Sequence, residues 1–182
     1  MTFIFESNKS LTNILCDTII EEFEEEHNEI NQNWFIIPKK NETWERIERI
    51  LYKQLLICLN EYKMKLIGEI NTNNDLILLL NKTLYTKDFI IQKLEPSESC
   101  ISKYYFKPNR YNVLTYVFYL NDIDEGGEVI INVNYEKEEL IRPKKGFLIL
   151  FPENIEYPYK LQLPKKHTQY IITGQLCYDN II

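Results

Sequence analysis

Alanine is missing altogether from this chain, and histidine occurs only twice, as His27 and His167. The stretch between them offers no imidazole, so chemistry that needs two histidines in one site has little to draw on. Basic residues are also scarce: Lys and Arg together number 21 against 27 Asp and Glu, for a net charge of −6. Phosphate backbones require a basic face, so nucleic acid is excluded as an expected partner. Lys39-Lys40, Lys144-Lys145 and Lys165-Lys166 are isolated pairs and read as solvated surface. The longest apolar runs, such as Leu76 to Leu80, are far too short to span a bilayer. Met1 to Ser10 contains no basic segment leading into an apolar run, so no secretory signal is expected. Cys16, Cys58, Cys100 and Cys177 form no C-x-x-C pair, which fits a reduced, cytoplasmic setting with the four as small packing residues. Arginine (4) is far outnumbered by lysine (17), glycine stands at 5, and Asn and Ile are abundant. Residues with GC-rich codons are thus depleted together, which points to an AT-rich genome. A large DNA virus or phage fits that composition, and so do several cellular lineages; a viral source would place the chain in host cytoplasm or virion.

What is present is a core. Apolar residues make up 45% of 182 residues, enough for one domain of ordinary size. Leu11, Leu15, Ile19 and Phe23 recur at i+4 and predict an amphipathic helix, with Ser10 as its expected cap. It runs into an acidic stretch, Glu21 to Glu29, that reads as a solvated face and, in the alternative, as a docking surface for a basic partner. Asn33 to Pro38 predicts a short strand. Ile47, Ile50, Leu51, Leu55, Cys58, Leu59 and Tyr62 predict a second helix over about 43 to 64. Asn71 to Asp75 reads as a loop, and Leu76 to Leu84 is compatible with helix or strand. From residue 88 the texture changes to short runs rich in Ile, Val, Tyr and Phe, at 88–94, 112–121, 127–134, 138–142, 146–151, 157–163 and 169–178. Turn signals separate them, among them Asn121-Asp122, Gly126-Gly127, Pro143 to Gly146, Pro152-Glu153 and Pro164 to Lys166. Such spacing predicts a sandwich or jelly roll. The fold class expected is α+β, in one domain over 1–182, with 1–85 mainly helical support and 86–182 the β core.

Within that β half, Tyr119-Leu120-Asn121-Asp122 followed by Gly126-Gly127-Glu128 resembles the "YLND…GGET" segment of prolyl-hydroxylase-like 2-oxoglutarate and iron(II) dependent oxygenases. Arg142-Pro143-Lys144-Lys145-Gly146, then Leu148 to Phe151 and Pro152, is similar to that family's "v-P-k-x-G-x-l-l-i-F-P" strand pair. Gln169 to Gly174 is similar to its "K-Y-I-I-T-G" closing strand. Ile91-Gln92-Lys93 with Pro96 resembles, more loosely, the strand before the metal site, and Arg110 stands where an arginine usually precedes the YLND strand. The match covers roughly residues 88 to 178. It implies a double-stranded β-helix, the cupin-like jelly roll, in which a His-x-Asp/Glu pair and a distal His hold iron(II) and a basic residue pairs with 2-oxoglutarate.

The chain departs from the family at those functional positions. Counting from Phe151-Pro152 and back from Tyr170 puts the distal His position on Tyr159 and the 2-oxoglutarate cation position on Gln169. Counting on from Pro96 puts the His-x-Asp/Glu pair on Tyr104 and Phe106. The expectation is therefore no metal, no cofactor and no catalytic residue. Large rings at Tyr104, Phe106 and Tyr159 would plug the old cavity, a reading close to the ordinary one, in which aromatics of a β domain are core. His167 reads as a surface turn residue, a Cys100–His167 pair makes a poor metal site, and Gly126-Gly127 is a turn and no phosphate cradle. The function implied is a binding or structural module with a protein partner or self-association. The alternatives are an active oxygenase with displaced ligands, and a fold reused for an unrelated small ligand.

Overall fold

A computed structural model describes residues 3–30, 33–37, 41–69, 75–97, 103–104, 111–133, 136–153 and 157–178. Two antiparallel sheets face each other, and helices cover the outer face of the larger one. The larger sheet has seven strands, β1 (Phe5–Ser7), β9 (Leu148–Pro152), β6 (Asn112–Tyr119), β11 (Gln169–Tyr178), β4 (Ile90–Leu94) and β2 (Trp34–Ile36) in that spatial order, with β3 (Leu84–Thr86) also paired to β11. The smaller sheet runs β5 (Lys103–Tyr104), β10 (Tyr159–Leu161), β7 (Val129–Val133) and β8 (Lys137–Ile141). Strands adjacent in space alternate between distant parts of the chain, the signature of a jelly roll.

Side chains of the large sheet alternate between two cores, as a period of two requires. Leu114, Tyr116 and Phe118 of β6 and Ile172 and Leu176 of β11 point to the helices. Val117, Tyr119 and Ile171 point between the sheets, where they meet Val129, Ile131, Phe151 and Tyr159. This is why the run Val113 to Leu120 is apolar at every position but Thr115: the strand is buried on both faces. Gly174 has a steric reason. It pairs with Tyr116 in the β6–β11 ladder, and a Cβ there would lie 2.2 Å from the Tyr116 hydroxyl. That hydroxyl donates to the Asp88 carbonyl at 3.0 Å, so a side chain at 174 would break the contact.

The helices are α1 (Asn13–Ile30), α2 (Glu42–Glu69) and the short α3 (Asp75–Leu80). The cap of α1 is Thr12, whose Oγ1 accepts from the Leu15 amide at 3.3 Å; the expected cap, Ser10, is instead buried with its hydroxyl 3.3 Å from Cys58 Sγ. Asn41 caps α2 through the Trp44 amide at 2.8 Å. Helix α2 outruns the expected 43 to 64, because Leu66 continues its buried stripe. Leu76 to Leu84 divides into α3 and the start of β3. Strand β1, not foreseen, adds an edge to the large sheet.

Helix α1 is fastened to the sheet by Glu24, which takes the Tyr170 hydroxyl at 2.6 Å and the Lys93 ammonium at 3.0 Å. No helix among the described residues is long and apolar enough to cross a membrane. Cys16, Cys58 and Cys177 are buried free thiols, and Cys100 lies outside the described residues.

Candidate functional site

The space between the sheets is where strands β10 and β11 begin, and both carry a residue singled out in the sequence. Tyr159 opens β10, opposite Ile131 of β7. Its neighbour Lys160 points outward to Glu138 at 3.3 Å, so alternation sends Tyr159 and Leu161 inward. Tyr159 is 8% exposed, and its ring meets Phe151 edge-on, with centroids 4.9 Å apart. Gln169 opens β11 and is 1% exposed. Its Nε2 donates to the Gly127 carbonyl at 2.9 Å, while its Oε1 is buried without a hydrogen-bond partner among the described residues. Gly127, at φ 76°, leaves room for that amide: a Cβ there would come within 2.8 Å of Gln169 Oε1.

The remaining candidates are only partly placed. Tyr104 lies in β5 opposite Lys160, so the strand that carries it runs beside the strand that carries Tyr159, although the two residues are not directly paired. Phe106 and Arg110 lie outside the described residues. His167 is an exposed turn residue. His27 falls within α1.

The structure adds a group that the sequence reading passed over. Thr115, fully buried and opposite Phe151, faces inward; Glu153 continues the inward row of Ile149 and Phe151. The Glu153 carboxylate accepts from Thr115 Oγ1 and from Asn112 Nδ2, each at 2.8 Å, and Cys177 Sγ donates to Asn112 Oδ1 at 3.0 Å. Burial raises the Glu153 carboxyl above its ordinary range, against the lowering effect of those two donors. The signal in the sequence was a threonine in an otherwise apolar strand, with a glutamate two residues past Phe151. Along β4 a groove of about 640 Å³ is bordered by Trp34, Gln92, Leu94, Tyr159, Leu163 and Thr173.

The described residues do not fit iron and 2-oxoglutarate. A ligand set for iron(II) needs imidazole and carboxylate donors, and Tyr159 presents a ring packed on Phe151. A buried dicarboxylate needs a cation, and Gln169 presents a neutral amide already bonded to Gly127. Among the described residues no group of three or more His, Cys, Asp or Glu side chains is placed to hold a metal ion.

No protein-family model matches the chain, and no curated protein matches it. Solved structures do. A prolyl 4-hydroxylase from Pseudomonas putida superposes with a TM-score of 0.70 at 14% identity, over 99% of this chain and 95% of that one. The viral collagen prolyl hydroxylase of Paramecium bursaria Chlorella virus-1 gives 0.67 at 14% identity, over 98% and 91%. A prolyl hydroxylase of Trichoplax adhaerens, solved with a peptide of hypoxia inducible factor, gives 0.66 at 17% identity, over 97% and 84%. The chain has the fold of these prolyl hydroxylases, a double-stranded β-helix with helices on one face.

Proposed function

We propose that this protein is a catalytically inactive relative of the 2-oxoglutarate oxygenases, working as a binding or structural module, and that its source is viral. The observation that carries this reading is Tyr159: at the start of β10 its ring is buried against Phe151 in the apolar core between the sheets. The neutral Gln169 at the start of β11, and the absence of histidine from residues 28 to 166, point the same way. Neither iron(II) nor 2-oxoglutarate is then a cofactor, and the partner is a protein, foreign or a second copy, in host cytoplasm or virion. The rival is an active oxygenase with displaced ligands. Glu153 gives it one inward carboxylate, but that carboxylate is engaged by Thr115 and Asn112. Elemental analysis after exposure to iron(II) or manganese(II), with an assay for decarboxylation of 2-oxoglutarate, separates the two. The expected result is no stoichiometric metal and no turnover; about one metal per chain would establish the rival.

A further inference from the structure

Strand β2 ends the large sheet, and among the described residues no strand pairs with its outer edge. Its ladder to β4 includes the bonds Lys93 N to the Asn33 carbonyl at 2.7 Å and Ile37 N to the Phe89 carbonyl at 2.9 Å. Antiparallel pairs alternate between bonded and non-bonded, so Asn33, Phe35 and Ile37 face β4 with their backbone groups. The N–H and C=O of Trp34 and Ile36 are therefore left on the outer edge. Those two residues also carry exposed apolar side chains, at 54% and 48%. Natural edges are usually guarded by charge, proline or a bulge, and β2 shows none of these over Trp34 to Ile36.

The other face of the same strand packs on the glutamate-rich helix α1. Phe35 stacks on Phe23 of α1 at 5.0 Å and meets Trp44 of α2 edge-on at 5.5 Å. Trp44 Nε1 donates to Glu26 at 2.7 Å, which holds that carboxylate in the aromatic cluster covering β2. Glu21, Glu22 and Glu25 precede Glu26 on the same helix, and Glu22 is raised by burial and by the charges of Glu25, Glu26 and Glu21. We propose that β2 takes up an extended basic segment of another protein by strand addition. One row of that segment is apolar and lies over Trp34 and Ile36; the other carries Lys or Arg toward the acidic end of α1. A second copy is the poorer occupant, because pairing β2 to β2 would bring two acidic helix ends together.

This deepens the reading of the chain as a binding module and rests on it. The probes are a short blocked peptide alternating valine and lysine, and its counterpart with glutamate for lysine. Trp34 is the exposed tryptophan and Trp44 is fully buried, so fluorescence reports on the edge. The valine–lysine peptide should bind saturably, shift that fluorescence and weaken with salt; the glutamate peptide should not bind. By calorimetry, Ile36→Lys should weaken binding by at least about tenfold, and Glu22→Gln with Glu26→Gln should weaken it while leaving the apolar contacts. No saturable binding, equal binding of the two peptides, or an affinity unchanged in Ile36→Lys would each overturn the proposal. So would a parent dimer in sedimentation that Ile36→Lys makes monomeric, since the edge would then belong to a second copy. A failed titration leaves catalytic inactivity standing, whereas turnover of 2-oxoglutarate removes that reading without touching the titration.

Discussion

Two residues between the sheets, Tyr159 and Glu153, each make a separate prediction. Tyr159 packs on Phe151 inside the second core, so Tyr159→Ala should destabilise the fold by about 2–4 kcal/mol through lost packing. Chemical denaturation measures this, and a change under about 0.5 kcal/mol would place the ring in solvent. Glu153 predicts a pH dependence. Its folded carboxyl is raised, so the folded state holds the proton more tightly than the unfolded chain. The stability this contributes is full below the ordinary carboxylate range and is lost as pH rises through the raised value. Glu153→Gln removes the titration and keeps an amide for Asn112 and Thr115. The variant should therefore gain on the parent as pH rises through that window; parallel stability curves for the two would contradict the assignment. Fixed counts from Phe151-Pro152 and Tyr170 singled out Tyr159 and Gln169, and both are buried residues at the starts of β10 and β11. Glu153 was not singled out, because its meaning depends on facing inward beside Thr115, which a turn-like Pro152-Glu153 conceals.

Among the elements, local chemistry explained most boundaries and missed a few. Strand β11 occupies the expected 169–178, and β6, β7, β8 and β9 fall close to their apolar runs, since alternation and turn residues marked both ends. The α1 cap was displaced from Ser10 to Thr12, because two hydroxyl residues stand within one turn and burial of Ser10 beside Cys58 decides between them. Strand β1 has three residues, too few for a period to show, and exists by pairing with β9. For α2 the Asn41 cap is well formed. Asn41→Ala should cost about 1 kcal/mol in thermal or chemical unfolding, with little change in the circular dichroism of the folded state. No measurable cost would mean that tertiary packing of Trp44 alone fixes the start of the helix.

For the whole molecule, the architecture is that of prolyl hydroxylases at identities of 14–17%, levels at which the fold is shared and function must be argued from the site. The fold was legible because the order and spacing of Tyr119 to Glu128, Arg142 to Pro152 and Gln169 to Gly174 trace the strands and turns of the jelly roll. The edge at β2 was not, since Trp34 and Ile36 look like any short apolar run until their backbone groups are seen to face outward. The central claim is that the scaffold persists without the machinery for iron and its cosubstrate. Thermal unfolding with manganese(II) and 2-oxoglutarate, excluding oxygen, tests it most directly. A ligand at a hundred times its Kd adds about 2.7 kcal/mol to the native state, which raises Tm by about 5–10 °C for a chain of this size. The account predicts a Tm unchanged by metal and cosubstrate together, and a rise of that order would contradict it.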